Sequence, residues 1–311
     1  MKKSLLIVLS VALLVGLFSG TGIAQTDEPI VLGEPDWPGI RAKNSVVEYI
    51  LENIGYKVER RSATDPILHE GLTQGDVDVH LGSWLPQNND LRKKYKGKLN
   101  YVTQNMTEGI YTMAVPKYVW DAGVKTHADL QKYANKFDRK LYLGPTGWAS
   151  YDLMKKAIED DVYGLGDWEA VNSSQSALMA QIEKSVKDKE WIVFVGWQPH
   201  WMNSVYNIKY LEDPQRLWES PYSWVDTLTR QGFEKDYPEV YRFLQQFKVD
   251  IEDNNDWIYE IGFNGQNEMK VAEEWVKNNI LVVRRWLSLV ETPRGENAYQ
   301  VLRDNIGLNN N

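Results

Sequence analysis

Residues 191–200 read Trp-Ile-Val-Phe-Val-Gly-Trp-Gln-Pro-His. The first five of them, Trp191 to Val195, form a short apolar run with the β-branched and aromatic composition of a buried strand. The run stops at Gly196, and a second tryptophan, Trp197, stands in the Gly/Pro-bearing segment that follows. This pattern predicts a strand that ends in a loop carrying a tryptophan.

The same pattern recurs three times towards the N-terminus, next to Trp37, Trp84 and Trp148. The strands predicted before these residues are 30–33, 77–81 and 141–143. Apolar residues at helical spacing fill the intervening segments, so we interpret the chain as an α/β protein. In open α/β sheets, ligands bind beyond the carboxyl ends of the strands. The four tryptophans are therefore predicted to line a ligand site.

Four helices are predicted from this spacing. Val46 to Ile54 gives one that Gly55 closes, and Asp65-Pro66 opens a second that ends near Gly75. The third begins at Ser150, predicted to be its cap, and the fourth at Ser174. Two further strands are predicted at 56–58 and 110–115.

Tryptophan is abundant, with 13 residues beside 17 tyrosines. A tryptophan-rich core is the alternative explanation for this number. Trp168, Trp257, Trp275 and Trp286 fall at helix-face spacing, so we expect them to pack or to lie at the surface. Trp120 and Trp201 are expected to be structural.

The charge balance excludes two classes of partner. The chain has 35 basic and 43 acidic residues, a net charge of −8, and no run of Lys or Arg. Nucleic acids and anionic membranes require basic surfaces. Neither is therefore expected to be a partner.

Residues 1–24 are interpreted as a signal peptide. Lys2 and Lys3 precede an apolar run from Leu5 to Phe18, and small residues then lead to Ala24. A membrane anchor is the alternative, but spanning a bilayer takes about 20 apolar residues. The chain has no cysteine, which removes the lipid-anchored option. A periplasmic location is expected.

Motifs for catalysis and metal binding are absent from the sequence. No phosphate loop, HExxH or GxSxG occurs, and the four histidines lack ligand spacing, so no metal or cofactor is predicted. Carboxylates such as Glu34, Asp36 and Glu108 near tryptophan platforms leave a carbohydrate-active enzyme or a sugar binder as an alternative class.

Tryptophans on loops suit one type of ligand particularly well. A quaternary ammonium group is positively charged but has no N–H to donate, so electron-rich aromatic faces bind it best. Each desolvated contact contributes about 0.5–2 kcal/mol. Several rings around one methylated nitrogen could supply much of the roughly 8 kcal/mol that micromolar binding requires.

Three stretches resemble the glycine betaine/choline substrate-binding proteins of ABC transporters. They are residues 79–86 (Val-His-Leu-Gly-Ser-Trp-Leu-Pro), 111–116 (Tyr-Thr-Met-Ala-Val-Pro) and 191–200. Residues 33–46 are similar to the choline-binding branch in position and spacing. The resemblance covers nearly the whole chain after the signal peptide, in the same order.

The resemblance implies a set of aromatic walls. Those matching the choline-type box are Trp37, Trp84, Tyr111 and Trp197, and those matching the betaine-type cage are Trp84, Trp148 and Trp197. In the betaine type, backbone N–H groups after the middle tryptophan hold the ligand carboxylate. Here these belong to Ala149 and Ser150, at a helix N-terminus that suits an anion. Asn88 stands where that branch has a histidine.

Two departures from the choline branch favour a carboxylated betaine. Gly39 stands where that branch binds the choline hydroxyl with an acidic residue, and Gly147-Trp148 replaces an Asn-Asp pair. Choline, carnitine and trimethylamine N-oxide stay open as ligands. For the last, Glu108, or Glu34 and Asp36, are candidates to contact the polar end.

The family's type II fold implies two α/β lobes with the ligand in the cleft between them. We expect lobe one at 25–112 plus 222–311 and lobe two at 113–221, with crossings near Met113 and Tyr222. Pro116 and residues 219–221 suit these crossings. The resemblance implies delivery to a membrane permease without any reaction, and we expect a monomer. A sensor coupled to a chemoreceptor is an alternative to uptake.

Overall fold

A computed structural model describes residues 28–218, 220 and 222–308. The expected signal peptide, and Glu219 and Pro221 of the expected crossing, lie outside these residues. The strands are β1 Ile30–Glu34, β2 Val58–Ser62, β3 Val79–Leu85, β4 Leu99–Pro116, β5 Lys140–Tyr142, β6 Glu169–Val171, β7 Phe194–Gln198, β8 Ile208–Tyr210 and β9 Tyr222–Arg230.

Helices alternate with these strands in the first two thirds of the chain and dominate the last third. They are α1 Pro38–Asn53, α2 Asp65–Gln74, α3 Asn89–Lys94, α4 Lys117–Asp121, α5 Ala149–Glu159, α6 Gln175–Asp188, α7 Met202–Tyr206, α8 Phe233–Asp236, α9 Pro238–Gln246, α10 Ile251–Ile258, α11 Glu268–Asn278, α12 Ile280–Trp286 and α13 Ala298–Asn305. A single π-helical turn, Tyr259–Phe263, follows α10. The predicted α/β class is confirmed. Among the described residues, no helix is both long and apolar enough to cross a membrane.

The strands join in one sheet with the order β2-β1-β3-β9-β4-β7-β5-β6, and β8 pairs with β4. Strands β1, β2 and β3 are parallel to one another, as are β5, β6 and β7. The antiparallel strands β4 and β9 connect these two groups. Each parallel group therefore presents its own carboxyl edge, and two such edges are available to build one site.

Strand β4 is shared by both halves of the sheet. Its first part pairs with β9, from Leu99 opposite Arg230 to Ile110 opposite Tyr222. From Ile110 onward it pairs with β7 and then with β8. This change of partner lies close to the expected crossing at Met113, but the lobe boundaries given above stay a prediction.

Helix α1 packs into the core of the first half because its apolar residues recur at helical spacing. Ile40, Val47, Ile50 and Leu51 are fully buried. One charged residue, Lys43, is buried on the same helix. Its Nζ donates to Asn105 Oδ1 at 2.8 Å, and Leu81 O lies 3.4 Å away. Burial lowers the pKa of Lys43 to about 7.

The strand bounds differ from prediction where cross-strand pairing extends beyond the apolar run. Strand β3 continues to Leu85 because Trp84 and Leu85 pair with Val225 and Trp224 of β9. Strand β7 likewise continues through Trp197, which pairs with Tyr111. The expectation that both tryptophans stand in loops after the strands was wrong, since each is the penultimate residue of its strand.

The helix starts were predicted unevenly. Ser174 caps α6 as expected, accepting a hydrogen bond from Ala177 N at 3.2 Å. Ser150 does not cap α5, because Trp148 is the N-cap and the Ser150 hydroxyl is turned to the carbonyl of Leu143. Trp257, Trp275 and Trp286 pack together as predicted, with ring centroids 4.9 Å and 5.3 Å apart.

Candidate ligand-binding site

A cavity enclosing about 410 Å³, part of it open to solvent, lies where the two halves of the sheet meet. Its lining consists of Trp37, Asp65, Trp84, Gln87, Asn88, Tyr111, Trp148, Ala149 and Trp197. Five of these side chains are aromatic.

The rings form two groups with edge-to-face or tilted contacts. Trp37 and Trp84 lie 6.0 Å apart at 75°, and Trp84 lies 5.8 Å from Tyr111 at 41°. Trp148 and Trp197 lie 5.2 Å apart at 88°. An edge-to-face contact covers only one face of one of the two rings, so the remaining faces stay available, and faces are the part of a ring that attracts a cation.

Each tryptophan comes from a strand or from the start of a helix. Trp84 and Trp197 lie in β3 and β7, whereas Trp37 and Trp148 are the N-cap residues of α1 and α5. Both N-cap residues have extended backbone, which directs the chain from a strand into its helix. The walls are thus fixed to the sheet and not to long loops.

Three of the tryptophan rings rest directly on glycines. A Cβ added at Gly39 would lie 2.5 Å from Trp37 Cζ3. A Cβ added at Gly109 would lie 2.9 Å from Trp84 Cζ3. A Cβ added at Gly144 would lie 2.7 Å from Trp148 Cε3. These separations are shorter than any van der Waals contact allows. The ring positions therefore require glycine at all three places.

Gly39→Ala is expected to weaken ligand binding about tenfold, because the methyl group displaces the Trp37 ring and one cation–π contact of up to about 2 kcal/mol is lost. Isothermal titration with the quaternary amine that binds best, beside thermal unfolding, checks this. Gly71→Ala is a matched control, since it also lies in a helix and its methyl group meets Val77 rather than a cavity wall. An unchanged affinity in Gly39→Ala would show that Trp37 is not a wall.

Tyr111 is tied to the start of α5. Its hydroxyl donates to Ser150 Oγ at 2.9 Å, and Ser150 Oγ donates to Leu143 O at 3.0 Å. Burial raises the pKa of Tyr111, so its hydroxyl keeps its proton at neutral pH. Ser150 is fully buried behind the lining, whereas its neighbour Ala149 is part of the lining.

Asp65 and Gln87 belong to the lining and were not predicted from the sequence. Asp65 is the first residue of α2, which follows β2 at the same carboxyl edge as Trp37. Its position after a strand was the only sequence feature that could have indicated Asp65 as a site residue. An Asp-Pro pair is also typical of an ordinary helix start. Gln87 lies in the turn after Trp84, beside Asn88, the N-cap of α3.

The structure does not bring the other acidic candidates to the cavity. Glu108 is exposed and has a left-handed φ of 64°. Glu34 accepts hydrogen bonds from Asn44 and Arg60 at 3.1 and 3.4 Å. Asp36 lines a neighbouring cavity together with Trp37.

Trp218 forms a second layer that the sequence did not indicate. It is buried, and its ring meets Tyr111 edge-on with centroids 5.5 Å apart. It therefore supports the Tyr111 wall from behind.

No group of three or more His, Cys, Asp or Glu that could hold a metal ion occurs within 28–218, 220 and 222–308.

Comparison with known proteins agrees with this architecture. Residues 28–278 match the family model described as the substrate binding domain of ABC-type glycine betaine transport systems. The glycine betaine/carnitine transport binding protein GbuC of Listeria monocytogenes serotype 1/2a (strain 10403S) is 33% identical over 144 residues. This match covers 46% of the chain and 47% of GbuC, so the chain spans about half the length of that relative.

Solved structures match over a larger share of the chain. An ABC-transporter choline-binding protein in complex with choline has a TM-score of 0.87 at 26% identity, over 90% of this chain and 98% of that one. The glycine/betaine/L-proline-binding protein ProX of Borrelia burgdorferi has a TM-score of 0.79 at 28% identity, over 88% and 100%. The expected two-lobed fold is confirmed by these similarities. The chain belongs to the family of substrate-binding domains of ABC-type glycine betaine transport systems.

Proposed function

We propose that the protein binds a small quaternary ammonium compound in the aromatic cavity and delivers it to the membrane permease of an ABC transporter. The observation that carries this proposal is the convergence of five aromatic side chains on one cavity. The binding residues we propose are Trp37, Trp84, Tyr111, Trp148 and Trp197, together with Asn88 and Ala149 of the same lining.

The energetics of such a site suit a cation without N–H groups. Three or four desolvated cation–π contacts at about 0.5–2 kcal/mol each approach the roughly 8 kcal/mol of micromolar affinity. The protein's net charge of −8 also attracts cations. A sugar would need hydrogen-bonding side chains around most of its hydroxyl groups, whereas five of the nine lining residues are aromatic.

The walls come from both halves of the sheet, which supports a clamp-like mechanism. Trp37 and Trp84 belong to one parallel group of strands and the helix that follows it, and Trp148 and Trp197 belong to the other. A ligand bound to both pairs of rings favours the closed arrangement of two hinged lobes. Closure then marks the loaded protein for the permease.

The family supports a role outside the cytoplasm and no chemical reaction. The relatives are named as binding proteins: one for glycine betaine and carnitine, and one for choline. We place the protein in the periplasm, in line with the signal peptide expected at 1–24. A monomer is sufficient for this role because one chain supplies all the walls.

Isothermal titration of the protein with glycine betaine, proline betaine, carnitine, choline and trimethylamine N-oxide tests the proposal, with a disaccharide as control. Micromolar or tighter binding of at least one methylated amine, with no heat from the disaccharide, is expected. Binding of the disaccharide alone would overturn the proposal and favour the sugar-binding alternative.

A further inference from the structure

We propose that Asp65 sets the ligand preference of the cavity by accepting a hydrogen bond from a hydroxyl group on the ligand, so that choline-like amino alcohols bind more tightly than carboxylated betaines. This inference rests on the proposed function and refines it. The sequence alone, through Gly39 and Gly147-Trp148, favoured a carboxylated betaine.

Asp65 is the one ionisable carboxylate among the described residues that line the cavity. Its side chain is 13% exposed, so it is neither in bulk solvent nor sealed in the core. The other polar lining side chains, Gln87, Asn88 and Tyr111, are neutral. The cavity therefore contains one fixed negative charge beside its aromatic walls.

Two buried histidines hold Asp65 in place. The Asp65 Oδ1 atom lies 3.1 Å from His80 Nε2, and the Asp65 carbonyl oxygen lies 2.7 Å from His69 Nδ1. Both rings are fully buried, and burial lowers the pKa of His69 to about 4. No described residue donates a hydrogen bond to the second carboxylate oxygen, Oδ2. One oxygen is thus anchored, and the other is left for a ligand.

Steric constraint explains why the acidic group comes from α2. The choline-binding branch carries its acidic residue at the position of Gly39, but any Cβ there would overlap the Trp37 ring at 2.5 Å. With this ring orientation, residue 39 cannot supply a carboxylate. Asp65 at the start of α2 supplies one from a neighbouring element of the same sheet edge.

The anion site expected at the start of α5 consists of the backbone N–H groups of Ala149 and Ser150. The Tyr111 hydroxyl bonds to Ser150 Oγ and does not occupy those N–H groups. Helices α1, α2 and α5 all begin at the cavity, and their N-termini favour a negative charge there. Asp65 provides that charge from within the protein.

The chemistry of the two ligand classes then differs sharply. A hydroxyl group can donate to the Asp65 carboxylate, and such charge-assisted bonds are stronger than neutral ones. A betaine has no donor and brings a second carboxylate, and two carboxylates sharing one site repel each other. The ammonium group is the same in both, so the polar end decides the preference.

Titration of choline and glycine betaine into the native protein and into Asp65→Asn tests the inference. The asparagine oxygen can still accept from His80, so the local structure is kept. We expect choline to bind more tightly than glycine betaine to the native protein. In Asp65→Asn we expect the choline affinity to fall about tenfold, the loss of one hydrogen bond to a charged group, while the glycine betaine affinity holds or rises.

The ratio of the two affinities separates a specificity role from a structural one. General damage would weaken both ligands together and leave the ratio unchanged. Asp121→Asn is the matched control, because Asp121 lies in α4, pairs with Lys117 and does not line the cavity. An unchanged ratio in Asp65→Asn, or tighter binding of glycine betaine to the native protein, overturns the inference and leaves the proposed function intact. Binding of neither amine also overturns the inference, whereas the proposed function fails only if none of the five methylated amines named above binds.

Discussion

Trp197→Ala is expected to weaken binding of the preferred amine by about 30-fold or more, which corresponds to about 2 kcal/mol. The substitution removes one aromatic face from the cavity. It also removes the ring against which Trp148 packs at 5.2 Å, so a second wall loses its support. Trp197 is buried, and its ring meets that of His200 edge to face with centroids 4.7 Å apart, which indicates a fixed position in the native protein.

Isothermal titration of three variants isolates the aromatic contribution. Trp197→Phe keeps a π face and should recover part of the affinity, whereas Trp120→Ala, in α4 and away from the lining, should behave like the native protein. The uncharged analogue 3,3-dimethylbutan-1-ol has the shape of choline without its charge. The analogue should bind the native protein far more weakly than choline does. In Trp197→Ala the affinities of choline and the analogue should differ less than in the native protein. Equal affinities of the native protein and Trp197→Ala would exclude this ring as a wall.

Between pH 7 and pH 9, the free energy of unfolding is expected to gain about 2 kcal/mol from Lys43 alone. Burial lowers the pKa of Lys43 to about 7 in the folded protein, from about 10.4 in an unfolded chain. In this window the unfolded chain binds more protons than the folded one, so stability rises with pH by at most about 1.4 kcal/mol per unit. Below pH 7 the amine is charged in both states, and the cost of burying the charge is fully present.

Urea unfolding of the native protein and of Lys43→Met at pH 6, 7, 8 and 9 measures this contribution. Methionine has a similar length and no charge, so the variant should lack the rise. It also leaves Asn105 Oδ1 without its donor, which costs about 1–3 kcal/mol at every pH. The decisive quantity is therefore the difference in free energy of unfolding between the native protein and Lys43→Met, followed as a function of pH. If the curves run parallel, Lys43 has an ordinary pKa in the folded protein.

The aromatic walls could be located from the sequence because their positions follow from local rules. Trp37, Trp84, Trp148 and Trp197 each accompany a short apolar strand and a glycine or proline, and strands of this kind end at one edge of a parallel sheet. Tyr111 could not be distinguished by pattern from a core residue, and only the family resemblance indicated it. All five now line one cavity.

The polar part of the site could not be predicted because it depends on pairing between distant segments. Asp65 lines the cavity because β2 lies beside β1, and no local pattern reports that order. Strand β9 was not recognised, and β4 was predicted at 110–115 instead of Leu99–Pro116. Polar residues and three register shifts against β9 interrupt the alternation of apolar and polar residues along β4, so no strand pattern is visible there. Glu108, at one of these irregularities, is exposed for the same reason.

The pairing of Ile110 with Tyr222 has a consequence for how such proteins diversify. The residues between these two paired positions form one uninterrupted stretch of chain that begins and ends at the same pair of the β4–β9 ladder. Tyr111, Trp148 and Trp197 are encoded within that stretch, and Trp37, Trp84 and Asp65 are encoded outside it. A single recombination event that replaces the intervening DNA would exchange three of the five aromatic walls and retain Asp65, the residue proposed to bind the polar end of the ligand. The preference for the shape of the ligand and the preference for its polar end can thus evolve on separate gene segments.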